Sequence, residues 1–193
     1  MYRLQLILAI FVFFLPISSK SQTSIDSSLH YRKAIINPSQ PQDLASGVHY
    51  FSKKKNQDLA LRDTLNAIYA LRLLSIAEFK IGNNFSSENH IVEALNLIES
   101  MQAKDTLINS RVGLYNQLGR IYRASHNSAE AIKTFDKALL IANKLNDSVI
   151  ILNNKANIYK DLLDYKNALR IYSFLFKKRS HFSNDYQTTL VTC

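Results

Sequence analysis

Cysteine, proline, glycine and acidic residues are all scarce in this chain. Its only cysteine is Cys193, the last of 193 residues. That excludes an internal disulfide, a cysteine-based metal site and a lipid-attachment cysteine behind an export signal, so the fold has to rest on packing. Only 4 Gly and 3 Pro accompany 47% hydrophobic residues. So few turn formers suit long helices joined by short turns. Asp and Glu number 15 against 24 Lys and Arg, and most of the acids fall at expected helix caps or on exposed helix faces. There is no low-complexity tract.

Catalytic patterns are missing as well. His30, His49, His90, His126 and His181 show no HExxH or similar ligand spacing. No GxSxG, Walker loop or GxGxxG occurs. His126, in the turn after a helix, reads as a C-cap rather than a ligand. The expectation is a protein without catalytic residues, metal or cofactor.

The N-terminus carries the one long apolar run. Arg3 precedes Leu4 to Leu15, apolar apart from Gln5, and Pro16, Ser18, Ser19 and Ser21 follow. This is the layout of a secretory signal peptide over residues 1–21, with cleavage before Gln22. The run is short for a membrane span, which needs roughly 20 residues. The chain is therefore expected to be exported to the periplasm or cell envelope, with membrane contact only through this segment or a missing C-terminal part. Formal net charge is +9, and loss of Arg3 and Lys20 with residues 1–21 lowers it to +7. Lys53-Lys54-Lys55 and Lys177-Lys178-Arg179 carry much of it and read as solvated helix ends. No nucleic-acid recognition motif accompanies them, so no nucleic-acid partner is expected.

Helical spacing runs through the rest. Ile25 to Ile36 reads as a short helix, broken by Asn37-Pro38-Ser39-Gln40-Pro41. Asp43 is placed to cap a second helix with Leu44, Val48 and Phe51 on its apolar side. A long helix follows from about Leu59 to Lys80, with Leu61, Leu65, Ile68, Leu71 or Arg72, and Ser75 in one stripe. Gly82-Asn83-Asn84 ends it, and Ser86 or Ser87 caps the next, to about Met101. Asp63-Thr64-Leu65, Asp105-Thr106-Leu107 and Asp147-Ser148-Val149 recur every 42 residues. The last two are expected to cap helices 107–125 and 149–162, and the first to lie in or near the start of the long helix. The triplets also look like a glycosylation signal of some secreted bacterial proteins.

The most informative stretch is Leu118-Gly119-x-x-Tyr122, followed by Ala131, Phe135 and Ala138. Part of it returns 37 residues later as Ala156-x-x-Tyr159, then Ala168, Tyr172 and Leu175. Small residues sit where two helices cross closely, and aromatics fill the gaps beside them. A helix pair of this kind buries its apolar face only by stacking on copies of itself. The pattern resembles the tetratricopeptide repeat, over about Val112–Asn143 and Val149–His181. A weaker copy spans about Ile68–Ser100, where Phe79 and Ala94-Leu95 approach the Tyr and Ala marks with a register open by one residue. Residues 25–54 form a degenerate fourth pair at most.

The resemblance implies an all-α, right-handed solenoid of about three helix pairs plus an N-terminal helical extension. Residues 22–57 make the extension, 58–181 the repeats, and 182–193 an irregular tail without a convincing capping helix, as in a truncated member. It further implies a concave groove lined by the first helix of each pair. Asn116, Arg120 and Arg123, with Asn153, Asn157 and Lys160, fall on the groove positions. Amides suit an extended peptide backbone, and Arg and Lys suit an acidic partner or a free carboxylate. The function so implied is non-enzymatic protein or peptide binding in the bacterial cell envelope. The alternative is the sensory part of an exported histidine kinase or helix-turn-helix regulator.

Overall fold

A computed structural model describes residues 17–178 apart from 103. Most of the expected signal segment, Arg179 and the tail 182–193 lie outside them. Eight α-helices are described: α1 Ile17–Ile36, α2 Pro41–Ala60, α3 Thr64–Ile81, α4 Asn84–Ser100, α5 Ile108–Ala124, α6 Ser128–Ile141, α7 Leu145–Asp161 and α8 Tyr165–Lys178, with a 3-10 turn at Lys104–Leu107 between α4 and α5. No strand occurs among the described residues. Successive helices pack antiparallel in the pairs α1/α2, α3/α4, α5/α6 and α7/α8, and each pair stacks on the next. The architecture is an all-α helical solenoid.

Four pairs are present where about three and an extension were expected, and one spacing explains all four. Ile35 and Gly47, Ser75 and Ser87, Gly119 and Ala131, and Ala156 and Ala168 are each twelve residues apart, one on each helix of a pair. All eight are buried. A Cβ on Gly47 would lie 2.5 Å from Ile35 Cγ1, and one on Gly119 would lie 2.6 Å from Phe135 Cε1. Both crossings are too close for a side chain at the glycine.

In α3/α4 two serines take this place. Ser87 Oγ donates to the Ser75 carbonyl at 2.8 Å. Its single proton is then used, so in the 2.9 Å contact between the hydroxyls Ser75 is the donor. Both hydroxyls are satisfied at zero exposure, which removes the penalty of burying them. This pair settles the register left open above. Ala94, seven residues after Ser87, matches Ala138 seven after Ala131, whereas Phe79 falls one residue past the position of Tyr122 and Tyr159. The core follows the same logic, with Phe51, Leu71, Leu74, Ile91, Ile121, Phe135 and Ile158 fully buried between helices.

Four connections share one short turn. Arg62, Gly82, His126 and Leu163 are left-handed, with φ of 58°, 90°, 58° and 60°. Each is followed by an Asp or Asn whose side chain accepts a backbone N–H three residues on: Asp63 from Asn66, Asn83 from Ser86, Asn127 from Glu130 and Asp164 from Asn167. Each capping bond contributes about 1 kcal/mol. Only Gly82 suits the left-handed region sterically; a leucine there costs about 1 kcal/mol or more. Leu163 is 69% exposed, so its side chain gives little back. Leu163→Gly is expected to raise stability by about 1 kcal/mol, read as a higher urea midpoint; a lower midpoint would contradict the strain.

Several expected boundaries move. The long helix starts at Thr64, not Leu59, because the Arg62 turn breaks the chain first. Leu61 and Leu65 are consequently exposed rather than in the core stripe, at 78% and 54%, and Arg72 is exposed while Leu71 is buried. Asn83, not Ser86 or Ser87, caps α4. Asp43 sits on the third residue of α2, where its carboxylate accepts from the Ser39 and Gln40 amides. Among the three acidic triplets only Asp63 is an N-cap. The residue at that place is Leu107 for α5 and Lys144 for α7, neither with a side-chain bond, and Asp147 lies inside the first turn of α7. The first helix runs back to Ile17, since no Gly or Pro separates Pro16 from Pro38. Lys53–Lys55 lie inside α2, where Lys54 pairs with Asp58 and Lys55 with Glu93.

Candidate peptide-binding cleft

The first helices α3, α5 and α7 lie side by side, and a cleft of about 490 Å³ opens along them. Phe79 of α3, Arg120, Arg123 and Ala124 of α5, His126 in the following turn, and Asn154 and Asp161 of α7 line it. On α5 the cleft arginines flank the Gly119 crossing: Arg120 lies about 100° and Arg123 about 40° around the helix from Gly119, and both line the cleft.

Arg120 is the central group. Its guanidinium carbon lies 5.0 Å from the centre of the Phe79 ring, a cation–π arrangement. Its Nη1 donates to Gln117 Oε1 at 3.0 Å. No carboxylate pairs with it among the described residues. Burial, and secondarily the positive charge of Arg123, hold its pKa below the ordinary arginine value. Gln117 is itself buried, and its Nε2 has no partner.

Arg123 is held differently. Its Nε donates to Asp161 Oδ2 at 2.6 Å, across from α5 to the end of α7. That hydrogen bond holds the Asp161 carboxyl below its usual range. Behind the cleft, Tyr122 donates to Glu88 Oε1 at 2.9 Å; burial and this bond push the Tyr122 hydroxyl up to about 12.

The structure sorts the six expected groove residues. Arg120 and Arg123 line the cleft. Asn116 lies behind them, its Oδ1 accepting from Asn154 Nδ2 at 2.9 Å. Asn153, expected on the exposed groove face, is instead buried at 9% exposure, and its Oδ1 has no partner. Its neighbour Asn154 is the one that lines the cleft, because one residue of helix turns a side chain by about 100°. Asn157 is drawn into its own pair, accepting from the Tyr172 hydroxyl at 2.7 Å. Lys160 is exposed but not among the lining residues. Of the packing set, Gly119, Ala131, Phe135, Ala138, Ala156 and Ala168 are buried, with Leu118 at 7% exposure. Tyr122, Tyr159 and Tyr172 pack half-buried against them.

Phe79, Asn154 and Asp161 were missed. Phe79 was given to the packing mark, and only the Ser75–Ser87 register releases it to the cleft. Gly113, unexplained by the sequence, lies under Arg72: a Cβ there would stand 3.4 Å from the guanidinium.

Residues 112–145 match the family model for the tetratricopeptide repeat. The α5/α6 pair is a tetratricopeptide repeat. The match begins at Val112, the start of the sequence-predicted repeat, and covers the α5/α6 pair that supplies Arg120 and Arg123. No curated protein matches the chain. Tetratricopeptide repeats generally bind proteins or peptides and are generally non-enzymatic. Among the described residues no group of three His, Cys, Asp or Glu is placed to hold a metal ion. No helix among them is long and apolar enough to cross a membrane.

Proposed function

We propose that this protein is a noncovalent scaffold that receives an acidic segment or a free chain terminus in the cleft between α3, α5 and α7. The observation that carries this reading is Arg120, a partly desolvated cation facing open space with an amide and an aromatic ring but no carboxylate. Such a group gains from an incoming anion, which supplies the charge-assisted bonds that Gln117 and Phe79 do not. Asn154 stands in the same cleft with donors and an acceptor for a peptide backbone. The polar groups are spread along an open cleft and do not converge on a reacting centre, which supports binding over catalysis.

Arg120→Ala is expected to weaken binding of a fluorescein-labelled pentaglutamate with a free carboxyl end by about tenfold, the scale of one charge-assisted bond. Helical content by circular dichroism should stay unchanged, since the side chain projects into the cleft. Unchanged affinity would sink the assignment. The apolar run Leu4 to Leu15 supports export to the cell envelope as part of the same proposal. Fractionation with an immunoblot against residues 105–180 tests it, and a cytoplasmic band would overturn it.

A further inference from the structure

Asp161 is oddly placed. It is the last residue of α7, where the helix dipole disfavours an anion. Its carboxylate is half exposed, at 44%, and the only partner it has among the described residues is Arg123. Among the described residues Arg123 in turn makes a single hydrogen bond, through Nε, and leaves the paired edge of its guanidinium unused. A one-point, solvent-exposed ion pair contributes little to stability. The pair nevertheless bridges two repeats and closes the cleft wall next to Arg120.

We propose that Asp161 is a built-in stand-in for the ligand: its carboxylate occupies Arg123 in the empty cleft, and an acidic ligand binds by displacing it. This rests on the cleft being the binding site, and it adds what that reading lacks, an internal competitor that sets the affinity. With Asp161 in place, its charge offsets that of Arg123 and repels an incoming anion, so Arg120 is the one uncompensated cation among the residues lining the cleft. When Asp161 swings out, Arg120 and Arg123 face the cleft together and select a ligand with two neighbouring negative groups, such as a chain terminus beside an acidic side chain. The swing costs one exposed contact, and the freed carboxylate regains water.

The test uses the whole chain and the same labelled pentaglutamate. Asp161→Asn is expected to bind about twofold to fivefold more tightly than the unaltered protein, the range that corresponds to removing one exposed ion pair. Asp161→Asn combined with Arg123→Ala should lose that gain. Asp164→Asn controls for net charge: it makes the same charge change three residues away, keeps an amide able to cap α8, and should leave affinity unaltered. Equal gains from Asp161→Asn and Asp164→Asn would overturn the proposal, as would no gain from Asp161→Asn. Binding that is lost in Arg120→Ala but indifferent to Asp161→Asn would overturn the internal competitor alone. Absence of binding in every protein, the unaltered one included, would overturn the cleft reading together with it.

Discussion

Gly119→Leu should lower the stability of the array by about 2–3 kcal/mol. The reason is local and steric. A Cβ at 119 would lie 2.6 Å from Phe135 Cε1 and 2.8 Å from Cδ1 and Cζ, distances that real Cβ contacts essentially never show. The ring has nowhere to go, because Phe135 is fully buried beside Val112, Ala131, Ala138, Ile151 and Ile158. The helices must therefore move apart, and α5 carries the cleft arginines with it. Leucine is a better helix former than glycine by up to about 1 kcal/mol, which offsets part of the loss but not the clash. For a chain of this size each kcal/mol shifts the melting temperature by about 2–4 °C, so a thermal scan should show a fall of about 5–10 °C. An unaltered melting temperature would mean that α5 and α6 do not cross at Gly119.

Gly47→Leu should be similarly damaging, by about 2–3 kcal/mol, and it tests whether α1/α2 is a repeat like the others. Here the obstruction is Ile35, with Cγ1 at 2.5 Å and Cδ1 at 2.9 Å from the added Cβ. Ile35 is fully buried, within the cluster of Phe51, Ala70, Leu73, Leu74 and Ala77. Its truncation alone costs about 2–5 kcal/mol through the cavity left behind. In the double variant Ile35→Ala with Gly47→Leu, the new side chain fills the space vacated, so the costs should fall short of their sum by about 1 kcal/mol or more. Urea unfolding of the two single variants and the double one measures this. Additive losses would show that the two residues do not oppose each other, and that α1/α2 packs in another way.

How far the fold was legible depended on how local each signal is. The crossing at Gly119 and Ala131 was readable because a small residue, an aromatic and a second small residue recur within one helix pair. The crossing at Ser75 and Ser87 was hidden, since serine reads as polar surface until its hydroxyl is seen bonded to a partner twelve residues away. The Ile35–Gly47 crossing was hidden by an exchange of sides, the large residue standing on the first helix and the glycine on the second. The repeated acidic triplets misled for a related reason. Capping depends on where the backbone enters the helix, and only Asp63 follows a left-handed residue that starts it there.

The cleft shows the same division. From the sequence alone came helices, short turns, the stacking of pairs and the placing of Arg120 and Arg123 on one exposed helix face. The helices and turns follow from composition and helical periodicity, the stacking from the 37-residue recurrence of small and aromatic residues, and the placing of the two arginines from the resemblance to the tetratricopeptide repeat. Only the tertiary structure decided that Asn154 rather than Asn153 faces the cleft, that Phe79 lies under Arg120, and that Asp161 holds Arg123. Each of these depends on how one pair is rotated against the next. A side chain moves by about 100° around the axis for each residue of register, and contacts such as Arg123–Asp161 join residues 38 apart in sequence. Side-chain packing between repeats fixes that rotation, and no short-range pattern within a repeat encodes it.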